Sequence, residues 1–396
     1  MLERFGAGHD RASRELPAWA RWSTAPAARP WTVGVEEELM LLDARTSSVA
    51  NRIDDVLAAV PRRLTAHLSA ETHACVAELK TAAHATVPEV AAELTWLRKS
   101  LDGALRERLG LCAGGAGTHP LAMGSEVAVA TTERYRKIDA TMRALARREP
   151  TMALHVHVAA PDGTSAVRAL NGLRGELPLL LALSANSPFW RGTDSGFASI
   201  RTPIFAMFPR VGIPRAFPSY RAYVRLVDAM LSSGAIPDAG HLWWDARLQP
   251  RLGTVEVRIM DAQSRVADVA VHTALVQCLV RRHAAAPPAR VADPEVLAEN
   301  RFLAARDGMS AQLIDSSGGP GRRRPAADAL ADMLERCRPV ADALGCAAEL
   351  EAAGALAADV GYGRQRLVAA RDGITAVPAW LAAEFAPARR LSGPRA

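Results

Sequence analysis

Four short stretches of the chain carry side chains capable of metal or phosphoryl chemistry, and in each the charged groups fall on alternate residues. In "TVGVEEELMLLD" (residues 32–43), Glu36 and Glu38 share one side of an extended chain with Gly34, and Val33, Val35, Leu39 and Leu41 take the other. "CVAELKT" places Val76, Glu78 and Lys80 opposite Ala77 and Leu79. "ALHVHVA" sets His155 and His157 against Leu154, Val156 and Val158, and "GTVEVRI" sets Glu256 and Arg258 against Val255, Val257 and Ile259. Carboxylates side by side on a buried face repel one another unless a cation or protons intervene. Glu37 falls on the apolar side of its strand and calls for a bulge or an arginine partner. Any one of these stretches also reads as an ordinary solvated or ion-paired strand face. If the four faces line one concave sheet, four carboxylates and one or two imidazoles converge with an arginine. That oxygen-rich donor set suits Mg²⁺ or Mn²⁺ better than zinc. Such ions beside a guanidinium are built for the phosphates of ATP.

Two loops add candidates for binding an amino acid. "LSANSPFWRGTDSGFASIRTPIFAMFPRVGIP" holds Arg201, Arg210 and Arg215, whose guanidinium groups suit a carboxylate, and Asp194, which suits an ammonium. "HLWWDARLQPRLG" holds Asp245, Arg247 and Arg251 just before the Glu256 stretch. Both loops also read as packed surface segments with ordinary ion pairs. The usual nucleotide motifs are missing: "CAGGAGTHP" is neither GxxxxGK[ST] nor GxGxxG and reads as a turn. Neither a GxSxG elbow nor a catalytic-cysteine signature is present.

The elements that must position these groups alternate irregularly. Strands are predicted at 31–42, 73–82, in "LGLCAGGAGTHP", at 151–160 and at 253–261. The helix over "TVPEVAAELTWLRKSLDGALRERL" has a capping box in Thr86 and Glu89 and a stripe of Val90, Leu94, Leu97, Leu101 and Leu105. Further helices are expected over roughly 165–184 and in "DVAVHTALVQCLVRRHAA", and after about residue 290 the chain reads as almost wholly helical, broken by the loop "SSGGPGRRRPA". This order favours mixed α+β over a doubly wound sheet. Residues 1–30, rich in Ala, Arg and Pro, read as a flexible N-terminal extension, and 31–396 as one catalytic domain with a helical C-terminal part.

Composition narrows the partners. The 396 residues are 49% hydrophobic, with net charge +6 from arginine spread along the chain. No helix-turn-helix, RRM signature or basic–aromatic stripe accompanies that charge, which argues against nucleic acid and for small acidic ligands. No run approaches the ~18 apolar residues of a membrane span, and "MLERFGAGHDRASREL" has no apolar signal-peptide core. Five dispersed cysteines without a CxxC fit a reducing cytoplasm.

Seven ordered stretches resemble the bacterial type-2 glutamate–cysteine ligase family, or carboxylate–amine ligases: "TVGVEEELMLLD", "VAELKT", "GTHPLA", "LHVHVAAPDG", "LSANSPFWRGTDSGFASIR", "WWDARLQPRLGTVEVRIMDAQSRV" and "ENRFLAARDGMSAQLID". The resemblance implies a glutamine-synthetase-like funnel, a curved and mainly antiparallel sheet packed by helices. It implies ATP-dependent ligation of glutamate's γ-carboxylate to the amine of cysteine or a related amine through an acyl phosphate, with Mg²⁺ or Mn²⁺. By motif position Glu36, Glu38, Glu78 and Glu256 would be metal ligands and His155 a ligand or nucleotide contact. Arg258 would lie against the γ-phosphate, and Arg201 would be the substrate-loop arginine. Residues 1–30 depart from the pattern, and "FAMFPRVGIP" has drifted from it. Homo-oligomerisation is left open. The competing readings are a metal-dependent amidohydrolase, suggested by the His-x-His strand, and a non-catalytic nucleotide- or amino-acid-binding relative.

Overall fold

The computed structural model describes residues 15–287, 292–315 and 321–386. A seven-stranded sheet is built from β1 (Val33–Asp43), β2 (Leu68–Ala70), β3 (Val76–Lys80), β4 (Leu111–Gly114), β5 (Ala153–Ala159), β6 (Ala246–Gln249) and β7 (Thr254–Asp261). Its order is β6-β7-β5-β1-β3-β2, with β4 on the C-terminal half of β1 and every pairing antiparallel. β1 is the hub: Val33–Glu37 pair with β5, Glu36–Met40 with β3 and Met40–Asp43 with β4.

One face of the sheet is apolar, as the alternation requires. Val35, Leu39, Leu79, Leu154, Val156, Val255 and Val257 lie in one core and none is more than 1% exposed. Each such side chain withdrawn from water contributes about 1.5–3 kcal/mol. The longer helices near the sheet are α1 (Val87–Leu109), α2 (Glu133–Met142), α3 (Gly163–Leu173), α4 (Leu177–Ser184), α5 (Val266–Ala285), α6 (Ala326–Leu344) and α7 (Val377–Phe385). α5 packs on β5 and is flanked by α1, α3 and α6. α1 starts at the Thr86–Glu89 capping box and stops at Gly110, whose φ of 66° is a left-handed cap.

Glu37 points into this core. Its carboxylate is held by Arg98 of α1, which also donates to the carbonyls of Gln263 and Ser264 at 2.9 and 2.8 Å. Arg98 stacks its guanidinium 4.6 Å from the Phe385 ring centroid. Of the two partners open to Glu37, the arginine is the one present, and it ties β1, α1 and the β7–α5 turn together.

On the opposite face the polar residues share space with a smaller apolar cluster. Met40, Leu42, Val76 and Cys112 pack there against Val377 and Leu381 of α7, closing one end of the face. Three expectations need correction. The helix expected over 165–184 is two helices, because Pro178 lacks an N–H and its ring would clash with the Arg174 carbonyl one turn back. The expected loop "SSGGPGRRRPA" lies partly outside the described residues, and Arg322–Pro325 within it pair with Gln312–Asp315 as a hairpin. Residues 1–14 of the expected N-terminal extension lie outside the described residues, and its remainder is anchored from Leu16 onward. The Trp19 indole donates to Asp228 at 3.0 Å, that of Trp22 to the Ala160 carbonyl at 3.0 Å, and Ala20 is fully buried. Among the described residues no helix is long and apolar enough to cross a membrane.

Candidate active site

Strand register brings the predicted residues together. Glu36 sits opposite His155 on one side and Lys80 on the other, Glu38 opposite Glu78, and Glu256 opposite His157. Glu36 Oε2 lies 3.6 Å from His155 Nδ1 and 3.6 Å from His157 Nε2. Glu38 Oε1 is 3.6 Å from His155 Nε2, and Glu256 Oε1 is 3.8 Å from His157 Nε2. Lys80 Nζ bridges Glu78 at 2.6 Å and Glu36 at 3.7 Å. Two triads can each offer ligand atoms within 4.8 Å of one another: Glu36, His157 and Glu256, and Glu36, His155 and Glu78. Both contain Glu36. The Nε2 atoms of His155 and His157 are buried and have no hydrogen-bond partner among the described residues. Carboxylate oxygens beside unpartnered imidazole nitrogens form a donor set that fits a divalent cation such as Mg²⁺ or Mn²⁺.

The electrostatics bear the mark of this crowding. Burial, and next the charge of Glu71, pushes the Glu38 carboxyl up to about 8. Burial, with Glu36 and Glu71 behind it, pushes Glu78 up to about 7. Burial opposes ionisation of Glu36 too, but the adjoining imidazoles outweigh it and hold that carboxyl well below its ordinary range. His155 is pushed down to about 3 by burial and then by Arg258, so its ring is neutral and keeps a lone pair to donate. A bound cation would offset the burial and the repulsion that keep Glu38 and Glu78 protonated.

Glu256 is fully buried and well supplied with cations. Arg247 donates from Nε at 2.6 Å and Nη2 at 3.3 Å, Gln249 donates at 2.7 Å, and Arg258 donates to Oε1. Burial opposes its ionisation, but Arg247 and Arg258 hold it well below the ordinary range. Arg258 also reaches His155 Nδ1 at 3.3 Å and lines the adjoining cavity. Arg247 spends its remaining donors on the carbonyls of Gly240 and Leu242, at 2.9 and 3.0 Å. It therefore stands behind Glu256, rather than in the cavity where a substrate contact is expected.

Arg201 does line that cavity, held from behind by a buried polar network. Its Nη1 and Nη2 donate to the carbonyls of Ile259 and Arg258 at 3.0 and 3.2 Å, and Asp261 lies 3.7 Å away. Asp261 in turn accepts from the Asn186 N–H at 2.9 Å, Ser187 Oγ at 2.6 Å and Ser199 Oγ at 2.9 Å. The glycines of "CAGGAGTHP" make room for this network. A Cβ on Gly117 would come 2.6 Å from Asp261 Cγ, and one on Gly115 would come 2.3 Å from the Gln263 carbonyl. Close packing accounts for them, in keeping with the turn reading.

Other loop candidates fall elsewhere. Asp194 is exposed and bound by Arg366 through two contacts of 2.8 Å, away from the cavity lining. Arg210 donates to the His241 carbonyl at 2.9 Å and covers the Trp243 ring, Arg215 stacks on Phe217, and Asp245 is paired with Arg301 at 2.7 Å. The cavity also uses Glu71, His73, Arg134 and Glu149, which the motifs do not flag, and Trp243, the first residue of the "WWDARLQPRLG" stretch. Glu71 and His73 sit just before β3, where a widened search around Glu78 would have met them. Glu149 sits at the end of a basic run, and its sequence context carries no signal.

Comparison with known proteins places this geometry. Residues 32–378 match the model of glutamate–cysteine ligase family 2. The chain belongs to that family. It is 42% identical over 349 residues to "Putative glutamate--cysteine ligase 2-3" of Rubrobacter xylanophilus, covering 88% of this chain and 94% of that one. It is 35% identical over 365 residues to "Putative glutamate--cysteine ligase 2" of Gloeobacter violaceus, covering 87% and 93%. Its fold is similar to that of the glutamate–cysteine ligase of Francisella tularensis in complex with AMP, with a TM-score of 0.65 at 12% identity, over 90% of this chain and 89% of that one. It is similar also to a bifunctional glutathione synthetase from Pasteurella multocida, with a TM-score of 0.64 at 14% identity, over 90% of this chain and 52% of that one. The protein is thus a ligase of the glutamate–cysteine ligase type with the expected α+β architecture. The hydrolase and binding-protein alternatives gain no support.

Proposed function

We propose that this ligase joins a carboxylate to an amine at the expense of ATP, glutamate's γ-carboxylate and the amine of cysteine or a related amine being the expected pair. The observation that carries this reading is the convergence of Glu36, Glu38, Glu78, His155, His157 and Glu256 beside Arg258 on one sheet face. A carboxylate is a poor electrophile; its attack on the γ-phosphorus of ATP expels ADP and makes an acyl phosphate, at whose acyl carbon an amine displaces phosphate with loss of a proton. When bound, Mg²⁺ or Mn²⁺ would offset phosphate charge and hold the γ-phosphoryl group in line.

The chain's own residues do the rest. Glu36, Glu78, Glu256, His155 and His157 would supply the ligand atoms, and Glu38, whose Oε1 lies 3.6 Å from His155 Nε2, would add another oxygen. Arg258 donates to Glu256 Oε1. An incoming phosphoryl group competes for that guanidinium, and Arg258 then neutralises the charge being transferred. Arg201, fixed by two backbone carbonyls and Asp261, presents positive charge to a substrate carboxylate. The AMP in the Francisella neighbour's complex is compatible with a nucleotide bound to this fold. The test is a screen of amino acids and amines for stimulated ADP release in Mg²⁺. Release that requires both a carboxylate and an amine supports the reading; hydrolysis indifferent to the amine overturns it.

A further inference from the structure

The cavity beside the candidate metal-ligand residues is lined by a second group of a different character. Glu38, His155, Arg201 and Arg258 line it, and so do Glu71, His73, Arg134 and Glu149. Ile204, Phe205, Phe208 and Trp243 form an apolar wall, in which the Phe208 and Trp243 rings meet edge to face at 5.8 Å.

Two buried polar atoms of this second group have no partner among the described residues: Glu149 Oε2 and His73 Nε2. Glu149 is 5% exposed and His73 8%. The other oxygen of Glu149 is already committed, accepting from Arg191 Nε at 2.5 Å and from the Gly124 N–H at 3.3 Å. Burial pushes the His73 imidazole below its ordinary range, so the ring is neutral and one of its nitrogens carries a lone pair. A buried carboxylate oxygen and an imidazole lone pair left unmatched are costly, and only a guest rich in donors satisfies both. An ammonium group has three donors and a positive charge, and aromatic rings favour a cation and its apolar body.

Building on the ligase reading, we infer that this cavity receives the acceptor substrate, a primary amine whose ammonium docks on Glu149 and His73 and whose apolar body lies against Ile204, Phe205, Phe208 and Trp243. Glu149 and His73 are then specificity-determining residues for the amine. Glutamate itself, charged at both ends of a short chain, matches this wall poorly, which assigns the station to the acceptor rather than the donor.

The experiment is calorimetric titration of 2-phenylethylamine into the protein loaded with Mg²⁺ and a non-hydrolysable ATP analogue. The wild type is expected to bind saturably, and Glu149→Gln and His73→Phe to bind at least ~10-fold more weakly, while affinity for the analogue changes less than ~2-fold. Glu149→Gln keeps an acceptor for Arg191, so loss of amine binding with the nucleotide affinity intact is not a folding effect. No amine binding by the wild type, or equal binding by all three proteins, overturns the inference. ADP release separates this claim from the ligase reading. If no carboxylate–amine pair is turned over yet amine binding follows Glu149, the ligase reading falls and the station stands. If ADP is released with a KM for the amine indifferent to both residues, the station falls.

Discussion

Glu36 belongs to both ligand triads and touches both histidines, so the chemistry converges on its carboxylate. Glu256 holds the neighbouring position with two arginines and a glutamine attached. Glu256→Gln keeps the shape and an acceptor for Arg247 but removes the charge; ADP release is expected to fall at least ~100-fold with the circular dichroism spectrum unchanged. An unchanged rate would remove Glu256 from the reaction. The raised carboxyls of Glu38 and Glu78 give a pH dependence of fixed sign. Their protons leave near pH 8 and 7 in the folded chain but near 4.5 once unfolded, so the unfolded state binds fewer protons in between. The metal-stripped protein is therefore expected to lose thermal stability from about pH 6.5 to about 8.5. The buried His155 and His272, both pushed down to about 3 by burial, act with the opposite sign below that window. Mn²⁺ requires the deprotonated carboxylates, so it should raise the melting temperature more at the upper end. Scanning calorimetry in chelator and in Mn²⁺ checks both; a metal-free protein that gains stability across the window would refute the assigned burial of charge.

Two elements carry the site, and each can be tested apart from the chemistry. The Glu37–Arg98 pair fastens β1 to α1 from the apolar side. Arg98→Met strands a buried carboxylate and should cost about 3–5 kcal/mol in chemical denaturation, whereas Glu37→Leu with Arg98→Met should recover most of the loss. Equal loss in the single and double variants would contradict that account. Gly117→Ala places a methyl group against Asp261 and Ser187 and should displace Arg201, lowering turnover with little change in metal affinity. Measured Mn²⁺ affinity beside ADP release separates the two effects. At this scale the sequence is readable wherever period and charge agree. The two-residue alternation in β1, β3, β5 and β7 is enough to pick out Glu36, Glu38, Glu78, His155 and Glu256, and the Thr86–Glu89 box marks the start of α1. Periodicity is silent about which arginine meets which acid across 172 residues, so Asp194 reads as a substrate ligand although Arg366 already holds it. It is equally silent about the partition at Pro178, which depends on one ring and one carbonyl.

For the molecule as a whole, the sheet works as a two-sided plate: one face is buried under α5 and its neighbours, and the other is a polar pit stopped at one end by α7. Family membership fixes the class of reaction, and the pit is the place proposed for it. Glu71, His73 and Glu149 reach the same cavity from segments outside the four strands, which is why motif spacing does not find them. The stretch before Trp31 reads as loose because it has no periodicity, yet in its described part the indoles of Trp19 and Trp22 are both hydrogen-bonded to the rest of the fold. The central claim is that acids and imidazoles from four strands form one divalent-cation site. Its most direct test is a Mn²⁺ titration of the metal-stripped protein followed by electron paramagnetic resonance, in wild type and Glu36→Gln. The account predicts saturable binding in the wild type, weakened at least ~10-fold when the residue common to both triads loses its charge. Absence of binding in the wild type, or equal binding by both proteins, would contradict it.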